Sequence, residues 1–209
     1  MKKLLIVSVL ATLPMLALAE GPYGGADIGY ARVDTKAPET AQYLANLAGE
    51  TVSYTYDRAA VIGRAFAGYQ FNENIALEAG YFSTGDLSNK YTSASGAATE
   101  DYRGRGGDLS FLLRPSVASG MNNAFVRLGG HYSEVDGDAS VRFSTTTYSL
   151  TGSGNANQTG TGFLVGAGYD LPIDKNIAGR FGYSFYNQLG GLSGADAHVL
   201  TVGLKFGGF

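Results

Sequence analysis

Residues 160–171, GTGFLVGAGYDL, decide how the rest of the chain is interpreted. Large apolar side chains recur at every second position from Phe163 onward, and glycines or Asp170 occupy most of the positions between them. A period of two places alternate side chains on opposite faces of a strand. The stretch therefore predicts a β-strand with one bulky apolar face and one small or polar face.

Seven further stretches repeat this alternation, and clusters of Gly, Asn, Asp and Pro separate them. No stretch of similar length has convincing helical periodicity, so the fold class is all-β. The predicted strands span residues 22–33, 58–71, 75–85, 106–115, 124–134, 160–171, 177–188 and 195–206.

The connections between these strands differ in length from one end of the sheet to the other. The connections at one end are short: 72–74, 116–123 and 172–176. Three of those at the other end are long, 34–57, 86–105 and 135–159, and the last one there, 189–194, is short and glycine-rich. Short turns at one end and long loops at the other are typical of barrels that cross a membrane. The sequence predicts an eight-stranded antiparallel transmembrane β-barrel with short periplasmic turns and long extracellular loops.

Residues 139–150 also have strand character and complicate this count. Bacterial barrels of this kind have an even number of strands. We therefore expect the fifth predicted strand to continue through these residues after a β-bulge near Asp136–Asp138. A ten-stranded barrel is the alternative if Val52–Tyr56 also forms a separate strand.

Residues 1–19 have the layout of an export signal. Two lysines precede an apolar stretch that Pro14 interrupts, and a small-x-small triplet at 17–19 ends it. This order is typical of a cleavable signal peptide, and the apolar core is shorter than the ~20 residues of a membrane-spanning helix. We expect a signal peptide over 1–19 and one barrel domain over 20–209.

The composition excludes several classes of protein. The chain has no cysteine, which excludes a disulfide framework, a thiolate metal site and a cysteine nucleophile. Its net charge is −3, whereas nucleic-acid binding needs a basic face, so no nucleic-acid partner is expected.

Charged side chains fall on the small face of the predicted strands. A charge that faces lipid costs about 2–4 kcal/mol at the membrane midplane, and the interior of an eight-stranded barrel is just wide enough for side chains. We therefore expect the bulky residues to face lipid and the charges to form a plug of ion pairs, with a narrow water-filled channel as the alternative. The predicted lumen network is Asp27, Arg64, Glu78, Asp108, Arg114, Arg127, His131, Asp170, Arg180 and Lys205.

Aromatic residues near both ends of the strands predict interfacial girdles. The predicted girdle residues are Tyr69, Phe71, Phe125, Tyr169 and Phe206 near the short turns, and Tyr81, Tyr132, Phe163 and Phe185 toward the long loops.

Two segments resemble a known family. Residues 24–33, GGADIGYARV, are similar to the first strand of small single-domain outer-membrane barrels of the OmpA/OmpX/Opa-like type. Residues 200–209, LTVGLKFGGF, resemble the family's C-terminal assembly signal, which the barrel-insertion machinery recognises. The signal residues implied by this resemblance are Gly203, Leu204, Phe206 and Phe209.

The resemblance also implies a location and a class of function. It implies a bacterial outer-membrane protein surrounded by lipid and lipopolysaccharide, with a role in adhesion, host-factor binding or envelope integrity. Since loops on a rigid scaffold carry binding residues, we expect any surface or host ligand to bind at 34–57, 86–105 and 135–159.

The strongest enzymatic candidate in the sequence is His131-Tyr132-Ser133. It resembles the His-x-Ser of outer-membrane lipid A deacylases, but residues 141–154 contain none of the acidic residues that those enzymes place further along. His131 also belongs to the predicted lumen face, away from a lipid substrate. We expect no catalytic site, and a lipid A-modifying enzyme is the least favoured alternative.

No cofactor or metal is expected. The glycines of 160–166 precede no helix and do not predict a nucleotide site. Asp136 and Asp138 supply two carboxylates, which are too few for a calcium site.

Two features of the long connections have functional interpretations. Residues 38–49 predict a short amphipathic helix at the barrel mouth that ends at Gly49, with a disordered loop as the alternative. Five basic residues are candidates for contacts with lipopolysaccharide phosphates: Arg58, Lys90, Arg103, Arg105 and Arg142.

Overall fold

The computed structural model describes residues 21–33, 37–115, 123–144 and 149–207. The predicted signal peptide lies outside these residues. The elements of the described part are β1 (Gly21–Val33), α1 (Ala37–Ala48), β2 (Ser53–Tyr56), β3 (Ala59–Asn72), β4 (Ile75–Thr84), β5 (Leu87–Ser93), β6 (Gly96–Leu113), β7 (Ala124–Ser144), β8 (Ser149–Asp174), β9 (Ile177–Tyr186) and β10 (Ala197–Phe206). A short 3-10 helix, Leu189–Gly191, lies between β9 and β10.

Eight of these strands form a closed antiparallel ring. The order around the ring is β1, β3, β4, β6, β7, β8, β9 and β10, and β10 pairs with β1 to close it. Closure pairs the backbone of each strand on both sides and leaves no free sheet edge. The eight-stranded antiparallel barrel predicted from the sequence is therefore confirmed.

Two hairpins continue beyond the other strands at one end of the ring. β7 and β8 stay paired from Ala124↔Tyr169 up to Ser144↔Ser149. β5 pairs with residues 96–102 of β6, and β2 pairs with β5. We call this part of the molecule the extension. It comprises α1, β2, β5 and the ends of three ring strands: residues 96–104 of β6, 135–144 of β7 and 149–158 of β8. We describe it as lying above the ring.

The segments 86–105 and 135–159, predicted as loops, are thus mostly paired strands. Two strands that leave the ring side by side satisfy each other's backbone hydrogen bonds by continuing the ladder. The continuation of the fifth predicted strand past residue 139 is confirmed. The expected bulge at Asp136–Asp138 is wrong, because β7 pairs there with both neighbours without a register shift.

Ser53–Tyr56 is a separate strand, as the ten-stranded alternative required. Within the described residues, however, it pairs with β5 and lies outside the ring. The chain therefore has ten described strands but an eight-stranded barrel.

The helix predicted over residues 38–49 is confirmed as α1. Gly49 ends it with a φ of 68°, and its N–H donates to Ala45 O at 2.9 Å. A left-handed glycine is a common way to terminate a helix. The helix covers the extension through a buried cluster of Ala41, Tyr91 and Ala98, with Leu44, Val52 and Val141 around it.

The outer surface of the ring is apolar. Its exposed large side chains include Ile28, Val61, Leu109, Phe111, Val126, Leu128, Val165, Phe181, Leu200 and Val202, each between 41% and 64% exposed. This is far more contiguous apolar surface than a protein in water normally exposes. No helix among the described residues has the length and apolar character to cross a membrane.

Glycines inside the ring make room for large side chains. A Cβ on Gly168 would lie 2.4 Å from Cζ of Phe125, and one on Gly80 would lie 2.4 Å from an Nη atom of Arg64. The glycines that alternate with bulky residues in the sequence are therefore required by the narrow lumen.

Candidate functional site

The ten predicted lumen residues all lie inside the ring. Every strand of the ring supplies at least one of them, with Arg114 just beyond the end of β6, and each is between 0% and 8% exposed. Successive side chains of a strand point to opposite faces. These residues alternate with the exposed apolar residues along each strand, so their side chains point inward.

Glu78 lies at the centre of this network. It accepts hydrogen bonds from Nη1 of Arg64 at 2.9 Å and from Nη1 of Arg180 at 2.6 Å, and it also pairs with Arg127. The Tyr23 hydroxyl donates to the same carboxylate at 3.1 Å. Three guanidinium groups thus meet at one fully buried carboxylate.

Asp108 and Asp27 surround the guanidinium of Arg64. Arg64 donates to Asp108 through Nε at 2.8 Å and through Nη2 at 2.7 Å, and its Nη1 lies 3.7 Å from Asp27. The fork-to-fork contact with Asp108 fixes the orientation of Arg64 as well as its charge.

Asp170 is the second centre of the network, nearer the short turns. It accepts from Nε of Arg180 at 2.7 Å and from Nη2 of Arg114 at 2.7 Å, and Nζ of Lys205 lies 3.5 Å away. Lys205 Nζ also lies 4.6 Å from the centre of the Tyr23 ring. Since five basic groups face four carboxylates, the lumen is close to electrically neutral.

His131 lies above these ion pairs. Its Nε2 contacts the carbonyl oxygen of Asn187 at 2.8 Å, and its ring packs against Tyr186. Ser133, on the same inward face, accepts a hydrogen bond from the Gly190 N–H at 2.8 Å. Both side chains of the His-x-Ser motif are buried inside the ring, so a lipid outside the barrel does not meet them.

Apolar clusters lie on both sides of the charged layer. The cluster toward the short turns is Tyr23, Phe66, Ala76, Leu112 and Phe125. The cluster toward the extension is Ala31, Ile62, Phe82, Leu164, Tyr186, Leu189, Ala197 and Val199. Leu189 comes from the connection before β10, which folds inward over the lumen.

The prediction that Phe125 belongs to an aromatic girdle is wrong. Phe125 is 4% exposed and lies inside the ring, with the Arg180 guanidinium 5.0 Å from its ring centre. Phe125 shares the parity of Arg127, and this parity could have placed it inside. The other predicted girdle residues face outward: Tyr69, Phe71, Tyr81, Tyr132, Phe163, Tyr169 and Phe206 are exposed, and Phe185 is half-buried against His198.

Tyr23 is a member of the network that the sequence analysis missed. Its hydroxyl contacts Glu78 and its ring contacts Arg180 and Lys205. It lies four positions before Asp27 on the same face of β1, so strand parity was the signal that could have found it.

The basic residues proposed for phosphate contacts have protein partners in several cases. Arg103 pairs with Asp86 at 2.8 Å, and Arg105 pairs with Glu134 at 2.8 Å. The Arg58 guanidinium lies 4.6 Å from the centre of the Tyr56 ring. Lys90 and Arg142 are exposed on the extension.

Glu134 is held by its neighbours on the outer face. Hydrogen bonds from Arg105 and then from Asn157 lower the pKa of its carboxyl to about 2. Asn157 also donates to Asp136 at 2.7 Å. The group forms a polar row immediately above the outward-facing Tyr132.

The residues of the C-terminal signal have different surroundings. Leu204 and Phe206 face outward and are exposed, whereas Gly203 faces inward beside Asp27. Phe209 lies outside the described residues. Among the residues that the structure describes, no group of three or more His, Asp or Glu side chains is arranged to hold a metal ion.

A closed ring with an apolar exterior, an ionic interior and long hairpins at one end defines a small outer-membrane β-barrel. The chain belongs to the OmpA-like transmembrane domain family, whose model matches residues 18–208. It therefore lies in a bacterial outer membrane, and the extension is its extracellular part.

Two relatives of this kind are distantly similar to the chain in sequence. Outer membrane protein A of Serratia marcescens is 29% identical over 147 residues, which are 68% of this chain and 38% of that protein. Outer membrane protein A of Klebsiella pneumoniae is 27% identical over the same share of this chain. The chain thus spans less than half the length of these curated relatives.

Two solved structures are similar to this chain. The crystal structure of CarO2 from Acinetobacter baumannii has a TM-score of 0.50 and 15% identity, and the match covers 90% of this chain and 99% of that one. The attachment invasion locus protein Ail of Yersinia pestis, solved with the heparin analogue sucrose octasulfate, has a TM-score of 0.47 and 14% identity, with 90% and 98% of the two chains covered.

Proposed function

We propose that this protein is a non-catalytic, non-conducting scaffold that presents an extracellular surface to other molecules. The single observation that carries the proposal is the extension: paired strands and a packed helix hold polar side chains in fixed positions outside the membrane. The ring beneath them is filled rather than open.

The proposed contact surface is the outer face of β6, β7 and β8 in the extension. Its residues lie in register in cross-strand rows of mixed charge, amide and hydroxyl groups. The rows are Arg103–Asp136–Asn157, Asp101–Asp138–Asn155 and Thr99–Ser140–Ser153. Most of these side chains are exposed, and such a surface offers many hydrogen-bond donors and acceptors to a polar ligand.

The paired strands give this surface a fixed backbone, which a flexible loop lacks. Ligand binding to a preformed surface costs less conformational entropy than ordering a loop. The buried cluster around Tyr91 and Ala98 supports β5 and β6 from the inner side. Rigid strands therefore favour recognition over a role as a disordered shield.

Removal of the β7–β8 part of the surface tests the proposal. Val135 and Gln158 are directly paired, so deletion of residues 136–157 and closure with an Asn-Gly turn retains the ladder below. We expect bacteria that carry the full chain to bind cultured epithelial cells more than bacteria without it, and the trimmed variant to lose this increase. Heat-modifiable migration on a gel reports that the barrel still assembles.

A second variant separates surface chemistry from strand structure. Replacement of Asp101, Asp138 and Asn155 by Ser removes the carboxylates and the amide of one row and retains both hairpins. We expect it to reduce binding, while Tyr43→Ser on the exposed side of α1 leaves it unchanged. A trimmed barrel that binds as well as the full chain, or a full chain that adds no binding, contradicts the proposal.

The non-conducting part of the proposal rests on the filled lumen. Arg and Lys side chains lie between two apolar clusters, and Leu189 covers the extracellular end. Folded protein in planar bilayers is expected to give no reproducible conductance steps. Steps that change size in an Arg64→Ala variant would support the channel alternative instead.

The membrane partners are also part of the proposal. Lipid and lipopolysaccharide would surround the apolar outer face, and the insertion machinery would recognise the outward-facing Leu204 and Phe206. We expect Phe206→Ser to slow assembly by the purified machinery in proteoliposomes. Unassisted refolding in detergent should be affected much less.

A further inference from the structure

The extension encloses a cavity of about 320 Å³ at the extracellular mouth of the barrel. This volume is at the lower end of the range of ligand sites, roughly 300–1,000 Å³. The ends of β1 and β4, the β5–β6 hairpin, β7 and the connection before β10 all contribute to its wall. It lies above Leu189 and shares Arg103 with the outer face of β6–β8.

One part of the cavity wall is apolar. The side chains there are Val33, Leu87, Val135, Leu189 and Leu192. Leu87 and Leu189 are 5% and 6% exposed, Val33 and Val135 are half-buried, and Leu192 is 38% exposed, so this part of the wall is buried at its base and reaches solvent at Leu192. An apolar wall of this kind favours the hydrocarbon part of a ligand.

The other part is rich in hydrogen-bond acceptors. The Glu100 carboxylate accepts from the Tyr91 hydroxyl at 3.0 Å and from the Tyr102 hydroxyl at 3.1 Å. Burial, and then the charge of Glu100, raise the pKa of Tyr91 to about 12, so Tyr91 remains a neutral donor to the carboxylate.

Asn89 adds an acceptor without a donor. It is 3% exposed and lines the cavity, and its Oδ1 has no hydrogen-bond partner among the described residues. A buried acceptor left without a donor is energetically unfavourable. A ligand that donates a hydrogen bond to Asn89 would remove this cost.

The nearby positive charge is already neutralised. Arg103 lines the cavity, but its guanidinium pairs with the exposed Asp86 at 2.8 Å. The charge that remains at the polar part of the wall is that of Glu100. The cavity therefore combines an apolar wall with a negative, acceptor-rich one.

We infer that this cavity binds a small amphipathic amine, with its ammonium group at Glu100 and Asn89 and its hydrocarbon part against Leu87, Leu189 and Leu192. An ammonium has three donors and no acceptor, which matches two acceptors at one site. A carboxylate ligand would be repelled by Glu100, and a plain hydrocarbon would leave Asn89 unpartnered.

Three probes of similar size test the chemistry. They are 2-phenylethylamine, 2-phenylethanol and 3-phenylpropionate, added to the full chain in lipid nanodiscs and followed through the NMR signals of the Leu and Val methyl groups. We expect the amine to shift the cavity methyls saturably and to bind at least tenfold more tightly than the alcohol. The carboxylate should produce no saturable shift.

Matched glycine variants test the location. A Cβ on the inward-facing Gly104 would lie 3.5 Å from Thr84 Oγ1, which is an ordinary contact, so the side chain of Gly104→Val begins without a clash and takes up part of the cavity. A Cβ on Gly107 of the same strand would lie 3.6 Å from Gly80 O, outside the cavity. We expect Gly104→Val to abolish amine binding and Gly107→Val to leave it unchanged.

Glu100→Gln tests the charge and should weaken amine binding by at least tenfold. The inference is overturned if the three probes bind alike, if the amine does not bind, or if either Gly104→Val or Glu100→Gln binds it like the parent chain. Heat-modifiable migration establishes that each variant is folded. Because none of these variants alters the outer face of β6–β8 in the extension, the result is independent of the proposed adhesion function.

Discussion

β7 crosses two environments, and its two halves have opposite polarity. In the ring, Val126 and Leu128 face outward while Arg127 faces inward. In the extension, the outward positions are polar, as at Asp138, and inward Val141 packs against the buried cluster under α1. The strand keeps one alternation throughout, and only the chemistry of each face changes.

The surroundings of the two halves, lipid and water, explain why their polarity is opposite. Lipid surrounds the ring, so charges move to the inward face and pair there. Water surrounds the extension, so its polar groups face out and its apolar groups pack inside. The change falls near Tyr132 and Glu134, where an aromatic residue at the membrane surface is followed by a charged one. The comparison shows that a strand's apolar face is set by what lies outside the barrel.

The largest effect is expected from the buried charge network. Glu78→Leu leaves Arg64, Arg127 and Arg180 without their shared carboxylate, and breaking a buried pair costs about 3–5 kcal/mol. We expect the urea midpoint for unfolding in lipid vesicles to fall accordingly. Asp138→Leu, which removes an exposed carboxylate in the extension, is the matched control and should leave the midpoint unchanged. Equal midpoints for both variants would contradict a distinct role for the buried network.

A new charge on the outer face should distinguish the two halves of β7 directly. Leu128→Arg places a charge against lipid and is expected to lower the free energy of unfolding by about 2–4 kcal/mol. Ser140→Arg, at an exposed outward position of the same strand, should have no measurable effect. If Ser140→Arg is as costly as Leu128→Arg, the boundary between lipid and water lies further up the strand than Tyr132.

The core of the extension should unfold without the ring. Tyr91 is 1% exposed, so Tyr91→Ala removes a large part of the cluster under α1. We expect protease to cleave the extension of this variant more rapidly while the ring remains folded and heat-modifiable. Tyr43→Ala, which removes a tyrosine that is 65% exposed, is the control and should be cleaved at the parent rate.

The smallest effect on stability is expected from a fall in pH. Because hydrogen bonds from Arg105 and Asn157 lower the pKa of Glu134 to about 2, its contribution to stability is present above the ordinary glutamate value of about 4.3. This contribution is lost as the pH falls through that value toward 2. The midpoint of the Glu134 carboxyl signal in an NMR titration should lie near 2, and Arg105→Gln should raise it.

Strand parity accounts for most of what could be predicted. Alternation at Phe163, Val165 and Tyr169 gave the outward face of β8, and the same argument placed Arg64 and Asp108 inside. Phe125 lies inside although it is aromatic, because it shares the strand parity of Arg127. Tyr23 carries no formal charge, so the pattern of charges does not identify it as a member of the network.

The extension was predicted less well. Residues 86–105 and 149–159 are rich in Gly, Ser, Thr and Asn, which are typical of loops, and their strand structure depends on pairing with a neighbour. Residues 38–49 were an exception, because helical spacing and the C-terminal Gly49 are local signals. The cavity had no local signal, since Leu87, Asn89 and Glu100 meet Leu189 only after the hairpins and the last connection fold together.

The sequence alone determined the all-β class, the eight strands of the ring, the face of most side chains in it and the set of charges that fills it. It could do so because a period of two and the cost of a charge in lipid act at each residue separately. Tertiary structure alone decided which carboxylate each guanidinium contacts, where the ladders end and what the extension encloses. These depend on register and closure, which join residues that are far apart in the chain.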